Sequence, residues 1–374
     1  MSPRERHIQT LLFNQPDRIP LYPGEPREAT LATWYTQGLP KEVDWRTFLA
    51  EQLGIDPQAV VRPEMLDVDF RMMPWFEEKL LEQKDGHSIV QDWKGNICEI
   101  ADNFDVTYLR NPRDFVTRRW IRCPVECRAD WEEMKTRYAP DAPARLSATL
   151  SKQAEQARQE GRLLAMTLTG PFWQMREWCG FEGLCMMMIE QPDLVDEMAL
   201  FWRDFVWAVF ERVLAQVVPD SVLFCEDMAY KAKMMISPEM VRRFCMPSWR
   251  QWSEQLRKAG CPLVDVDSDG FIGELIPLWI EAGFNVCEPI EVAALNDIAE
   301  FRRKYGRQMA YIGGVDKRAM AKGGAVIREE LARLEPVIRD GGFIPSCDHG
   351  VPFDVSWPNY VDYCRLLAQL TGWL

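Results

Sequence analysis

A short apolar run followed by a longer stretch of helical pattern recurs six times in roughly the last 210 residues, and this alternation constrains the fold more than any other feature. The runs occupy residues 162–171, 221–227, 262–270, 285–289, 309–316 and 343–350. Strands separated by helices cannot pair as hairpins, so they lie side by side in parallel with the helices covering the sheet. A first strand at "RIPLYP", residues 18–23, and one more in the irregular middle raise the count to eight, the number that closes a (β/α)8 TIM barrel. Local signals agree with this α/β reading. Ser237 can cap the helix after the second run, Pro238 fits its first turn, and Glu239 complements its dipole.

The chain has 374 residues, 47% of them hydrophobic, enough to bury one large core, and it reads as a single TIM-barrel domain over residues 1–374. An N-terminal helical extension precedes the first strand. Residues 67–122 break the βα rhythm: Asp85-Gly86 and Lys94-Gly95-Asn96 separate short alternating segments, the pattern of a small β-hairpin insertion. A net charge of -13 without a Lys/Arg cluster argues against a nucleic-acid partner. No run of about 18 uncharged apolar residues suggests a membrane span. Eleven cysteines, an odd number without a CxxC pair or a secretory leader, fit a reducing compartment, and the expected location is cytoplasmic. Cys225 and Cys287 fall inside apolar runs and read as core.

Barrel enzymes place their chemistry at the C-terminal ends of the strands. Here those ends are acidic: Glu226-Asp227, Asp267-Ser268-Asp269, Glu288 with Glu291, Asp316, and Asp348-His349. Burying such carboxylates unpartnered costs roughly several kcal/mol each, so something compensates. The compensator is a metal ion, a cationic substrate group, or nearby Lys and Arg such as Lys231, Lys233, Lys317 and Arg318, and Asp316 also reads as a helix cap. Asp267 and Asp269, two apart in an extended chain, share a face. With His349 from the last strand they form a hard-donor set suited to Zn, Mn or Fe, with Cys347 as a further candidate ligand. His7 and His87 read as solvated, in the opening helix and the hairpin turn. Trp173, Trp178 and Met186 to Met188 read as core or as the wall of a pocket.

The segments "SPRERHIQTLLFNQPDRIPL", "ISPEMVRRFCMPSWRQW", "YIGGVDKRAM" and "IPSCDHGVPFDVSWPNYVDYCRLL" resemble the uroporphyrinogen decarboxylase superfamily, which also contains cobalamin-dependent methyltransferases. The resemblance covers nearly the whole chain and implies a TIM barrel. In the decarboxylases a paired-arginine segment after the first strand and a histidine after the last bind a tetrapyrrole bearing many carboxylates. His349 matches that histidine, but "YPGEPREATLATW" offers Arg27 alone between Glu25 and Glu28, and an acidic mouth repels a polyanion. In the methyltransferases a His-x-Cys-Gly motif and a later Cys hold zinc. "DSDG" stands in that place here, with Asp267 for the histidine, Asp269 for the cysteine and His349 close to the final cysteine.

The resemblance therefore implies a methyltransferase component that moves a methyl group from a methoxylated aromatic, a methylamine or a similar small-molecule donor to a corrinoid on a small partner protein. A divalent metal, zinc first, held by Asp267, Asp269 and His349, or protonation by Asp227, His349 or Tyr230, would make the heteroatom a better leaving group. Arg27, Glu226, Glu288 and Trp173 are the expected substrate-binding residues, and a homodimer is compatible with this reading. Two other readings stand beside it: a decarboxylase of the same superfamily acting without metal, and a barrel that serves as a binding protein.

Overall fold

The computed structural model describes residues 1–60, 62–102, 104–110 and 116–374. Its strands, in chain order, are β1 (Glu64–Met65), β2 (Lys79–Lys84), β3 (His87–Gln91), β4 (Ile97–Ala101), β5 (Arg118–Arg122), β6 (Leu164–Thr169), β7 (Ser221–Cys225), β8 (Leu263–Asp267), β9 (Val286–Glu288), β10 (Ala310–Val315) and β11 (Phe343–Cys347). All six expected runs after residue 160 are strands. Together with β1 they form a parallel seven-stranded sheet in the order β1-β6-β7-β8-β9-β10-β11. Such a curled sheet, each strand joined to the next through helix, fits the TIM-barrel architecture. The helix Pro238–Phe244 starts as read, with the Ser237 side chain accepting from the Met240 amide.

Period-two alternation divides each strand between helix layer and interior. Phe224 on β7 faces outward and stacks on Trp252 of the helix Met246–Lys258, with ring centroids 5.3 Å apart and planes 6° from parallel. The interior itself is divided. On the side of β9 to β11, Val286, Ala310, Ile312 and Ile344 pack with Leu263 and with Leu11 of the helix Pro3–Leu11. On the side of β6 to β8 the inward residues are Ala165, Thr167, Ser221, Leu223 and Asp265, all but Leu223 small or polar, and they line a chamber of about 240 Å³.

The expected first strand at residues 18–23 is a correction, because this segment has no ladder. The nearest pairing is a single parallel bridge just beyond it, Pro26 to Val351. Pro20, Pro23 and Pro26 have no N–H to donate, which prevents a continuous ladder here. The strand expected in the irregular middle is the short β1.

Within residues 67–122, β2 to β5 form an antiparallel sheet, while positions 103 and 111–115 of that stretch lie outside the described residues. Asp85 and Gly86 connect β2 and β3 with positive φ at both positions, 52° and 83°, as a tight hairpin turn requires. Among the described residues no helix is long and apolar enough to cross a membrane.

Candidate active site

Strand register brings the chemistry together. Thr169, Cys225, Asp267 and Glu288 are successive neighbours across β6 to β9, one layer at the C-terminal edge of the sheet. Above this layer lies a cavity of about 380 Å³, into which Trp173, Asp227, Asp267, Asp269, Glu288 and His349 all project. With Cys347, which also lines it, seven of the expected site residues therefore meet.

The acidic ring is mostly compensated from within. Asp316 caps the helix Lys317–Lys322 and pairs with Arg318 at 2.8 Å. Glu291 pairs with Lys317 at 3.2 Å, and the buried Asp348 accepts from the amides of Val292 and Lys317. Asp227 is held by Arg176, whose guanidinium reaches its carboxylate at 2.8 Å and its carbonyl at 2.9 Å. Asp227 thus enters the cavity as one half of an ion pair, unsuited to the proton-donor role expected of it.

His349 is bonded on both ring nitrogens. Nδ1 accepts from the Gly350 amide at 2.7 Å and faces the Arg27 guanidinium at 3.1 Å, so the proton sits on Nε2 and points at Asp269 Oδ2, 3.1 Å away. The Asp269 hydrogen bond raises the imidazole pKa above 6.5, and burial together with Lys317 and Arg27 opposes the rise. A second proton would displace two donors from Nδ1. Arg27 accordingly sits behind His349 as its support.

Asp267 and Glu288 remain. Neither side chain has a hydrogen-bond donor or an ion-pair partner among the described residues. Burial pushes Glu288 up to about 8, with the charge of Asp265 adding to it. Burial, then Glu288, Asp269 and Asp227, push Asp267 well above the ordinary carboxyl range. Two side-by-side carboxyls on adjacent strands cannot both ionise cheaply in this environment, so the pair carries protons at neutral pH.

Two expected roles are corrected. Tyr230 is 75% exposed and lies on the rim, outside the cavity lining. Glu226 is fully buried and belongs to the scaffold. Its Oε2 accepts from the Phe172 and Trp173 amides at 3.0 and 3.2 Å, at the start of the helix Pro171–Cys179, and its Oε1 accepts from Trp249 Nε1 at 2.5 Å. Burial pushes this carboxyl upward while the donors and the helix dipole pull it back. Because every contact donates, the ionised form is the one that fits. Gly170 makes the arrangement possible, since a Cβ there would stand 2.0 Å from Glu226 Oε1. Glu226→Ala strands three buried donors and is expected to destabilise the fold by on the order of 3 kcal/mol or more, read as a lower urea midpoint.

The expected metal set does not fit the residues as placed. Asp269 and His349 satisfy each other, Nε2 carries the proton that a ligand nitrogen must lack, and no group of three His, Cys, Asp or Glu is arranged to hold an ion among the described residues. Cys347 lines the cavity, but burial pushes its thiol up to about 12, so it is neutral.

The local sequence pattern missed Tyr22, which lines the cavity from the proline-rich segment, and Arg176, which holds Asp227 and stacks on Trp173 at 4.5 Å. A second cavity of about 440 Å³ lies between β6, residues 67–72 and the β3–β4 turn. Lys94 of that turn pairs with Glu177 on the helix that carries Trp173.

The family model described as Uroporphyrinogen decarboxylase (URO-D) matches residues 121–363. Among solved structures the chain is similar to a methyltransferase from Methanosarcina mazei, at 12% identity and a TM-score of 0.62, over 100% of this chain and 98% of that one; at this identity the likeness speaks for the fold. It is also similar, at 12% identity and a TM-score of 0.40, to a B12-independent methionine synthase from Shewanella sp. W3-18-1 in complex with selenomethionine, over 61% of this chain and 67% of that one. Comparison with curated proteins gives no match.

Proposed function

Because the chain belongs to the uroporphyrinogen decarboxylase family, we propose that it is a methyltransferase component built on a (β/α)8 barrel, with residues 18–26 in the eighth strand position and residues 67–122 as an insertion beside the mouth. Its substrate is a small methoxylated aromatic or methylated amine, and the methyl acceptor is a corrinoid carried by a small partner protein. The observation that carries this reading is the unpartnered Asp267 and Glu288 pair, two carboxyls on neighbouring strands at the floor of the mouth that burial pushes toward their protonated forms.

The size of the cavity, about 380 Å³, lies within the ordinary range for a small-molecule site, and Trp173 offers an aromatic wall. A porphyrinogen with many carboxylates is disfavoured on charge. Arg176 is committed to Asp227, Arg46 and Arg62 to Glu25, and Arg27 to His349. A corrin ring is too large for this cavity and would rest on the rim. Tyr230, Leu295 and Phe353, 75%, 72% and 65% exposed on three different loops, give that rim an apolar surface.

When bound, the reduced corrinoid supplies the nucleophile for the methyl group. The chain's own part is proton supply and orientation. As the methyl carbon–oxygen or carbon–nitrogen bond breaks, its electron pair stays on the heteroatom. A proton from the Asp267 and Glu288 pair moves to that atom, so the leaving group departs neutral. Arg176 fixes Trp173 and Asp227 at one wall, and Arg27 with Asp269 fixes His349 at the other.

The test is an assay of the purified chain with reduced cobalamin against a panel of methoxylated aromatics and methylamines. Formation of demethylated product, coupled to loss of the reduced-corrinoid absorbance, is expected. Inertness toward the whole panel combined with decarboxylation of uroporphyrinogen would reverse the assignment.

A further inference from the structure

Beneath the mouth, the chamber of about 240 Å³ contains an acid that the proposed reaction does not use. Asp265, facing inward on β8, is 4% exposed. Its Oδ2 accepts from the Ser221 hydroxyl at 2.5 Å, and its Oδ1 has no hydrogen-bond partner. Glu288 and Tyr22 line both this chamber and the mouth, so the two adjoin. Thr167, in the middle of β6 between two buried neighbours, is exposed and lines the chamber, whereas a packed barrel interior would cover it.

Arg6 and Arg62 line this chamber and Arg4 lies near it, but each guanidinium is neutralised by a carboxylate of its own. Arg6 makes a two-pronged pair with Asp17 at 2.7 and 2.8 Å, Arg4 does the same with Asp220 at 2.9 and 2.7 Å, and Arg62 pairs with Glu25 at 2.9 Å. His7, expected to be solvated, lines the chamber instead, and burial lowers its pKa to about 4, so it is neutral. Cys261 and Cys287, whose thiols burial raises, add no charge.

We propose that this chamber is an internal binding site for a small ammonium-type cation, ammonium or a methylammonium ion, held between Asp265 and Glu288 and entering from the mouth past Tyr22. An ammonium group brings several N–H donors, which match the two carboxyls that line the chamber, Asp265 and Glu288, while a methyl group meets Ala165 and Leu223. A bare metal ion is the poorer match, because no three ligating side chains converge among the described residues. Binding draws both carboxyls into their ionised forms and so releases protons.

Calorimetric titration of the full chain with methylammonium chloride near pH 7, in two buffers of different ionisation enthalpy, tests this without any methyl acceptor. Its outcome is therefore independent of the reaction assigned to the mouth. Saturable binding with proton release is expected, with weaker binding of potassium and of choline, whose quaternary nitrogen has no N–H to donate. Asp265→Asn is expected to weaken methylammonium binding by at least about tenfold, and Asp265→Glu, which keeps the charge, to retain it and to serve if the amide variant fails to fold. Absence of saturable binding would overturn the site. Binding that survives Asp265→Asn and is lost in Asp267→Asn would also overturn it, by assigning the cation to the mouth.

Discussion

Asp267→Asn is expected to lower turnover by roughly 10²- to 10⁴-fold, the span associated with a positioned general acid, while leaving KM nearly unchanged. The amide keeps the shape of the carboxyl and the strand register with Glu288 but has no proton to release. Glu288→Gln should do the same, and because the two carboxyls act as one acid, the double variant should be little worse than either single one. Asp269→Asn provides the contrast. Its carboxylate is occupied by His349, and burial's upward push on its pKa is overcome by that hydrogen bond, so it holds a negative charge and lacks a proton to give. Initial rates of methyl transfer over a pH series are the measurement. The limb that falls as the pair deprotonates should disappear from kcat in Asp267→Asn. Turnover in that variant within about twofold of wild type would remove the pair from the chemistry.

Strand positions were legible because strand and helix patterns are local: an apolar run six residues long announces itself, and Ser237 with Pro238 marks a helix start without reference to anything distant. The segment at 18–23 misled for the same reason. Its composition is strand-like, and the property that decides against a ladder is the spacing of prolines along the chain. At the site, sequence placed acids at strand ends but had no means of telling which were already compensated. The partner of Glu226 is Trp249, that of Asp227 is Arg176, and that of His349 is Arg27, 322 positions away. Those pairings arise from the closing of the sheet and leave no local signature. Tyr230 follows the strand-end acid Asp227 closely, yet its loop turns the ring out to solvent. Asp267 and Glu288, by contrast, emerge from subtraction: once every other strand-end acid is matched with its donor, these two are unmatched.

Stability is expected to fall as the solution is taken from about pH 6.5 to about pH 8, a direction set by the buried acids. An acid whose folded pKa is raised binds more protons in the native state than in the unfolded one, so each step upward in pH favours unfolding until the folded pKa is passed. Asp265, raised to about 7 by burial, Glu288, raised to about 8, and Asp267, raised well above its ordinary value, all act this way. His7 has the opposite sign, because burial lowers its pKa to about 4, but above its unfolded value of 6.5 it is mostly neutral in both states and contributes little. Glu197, held down to about 2 by Arg128 and Lys135, is fully ionised across the window and is likewise silent. Each carboxyl still protonated through the interval loses about 1–2 kcal/mol, at 1.4 kcal/mol per pH unit. Urea midpoints at the two ends of the window should therefore differ in favour of the lower pH, and Asp265→Asn should flatten the slope. A midpoint that stays level or rises toward pH 8 would mean that these carboxyls are ionised in the folded protein, which would deprive the mouth of its proton donor.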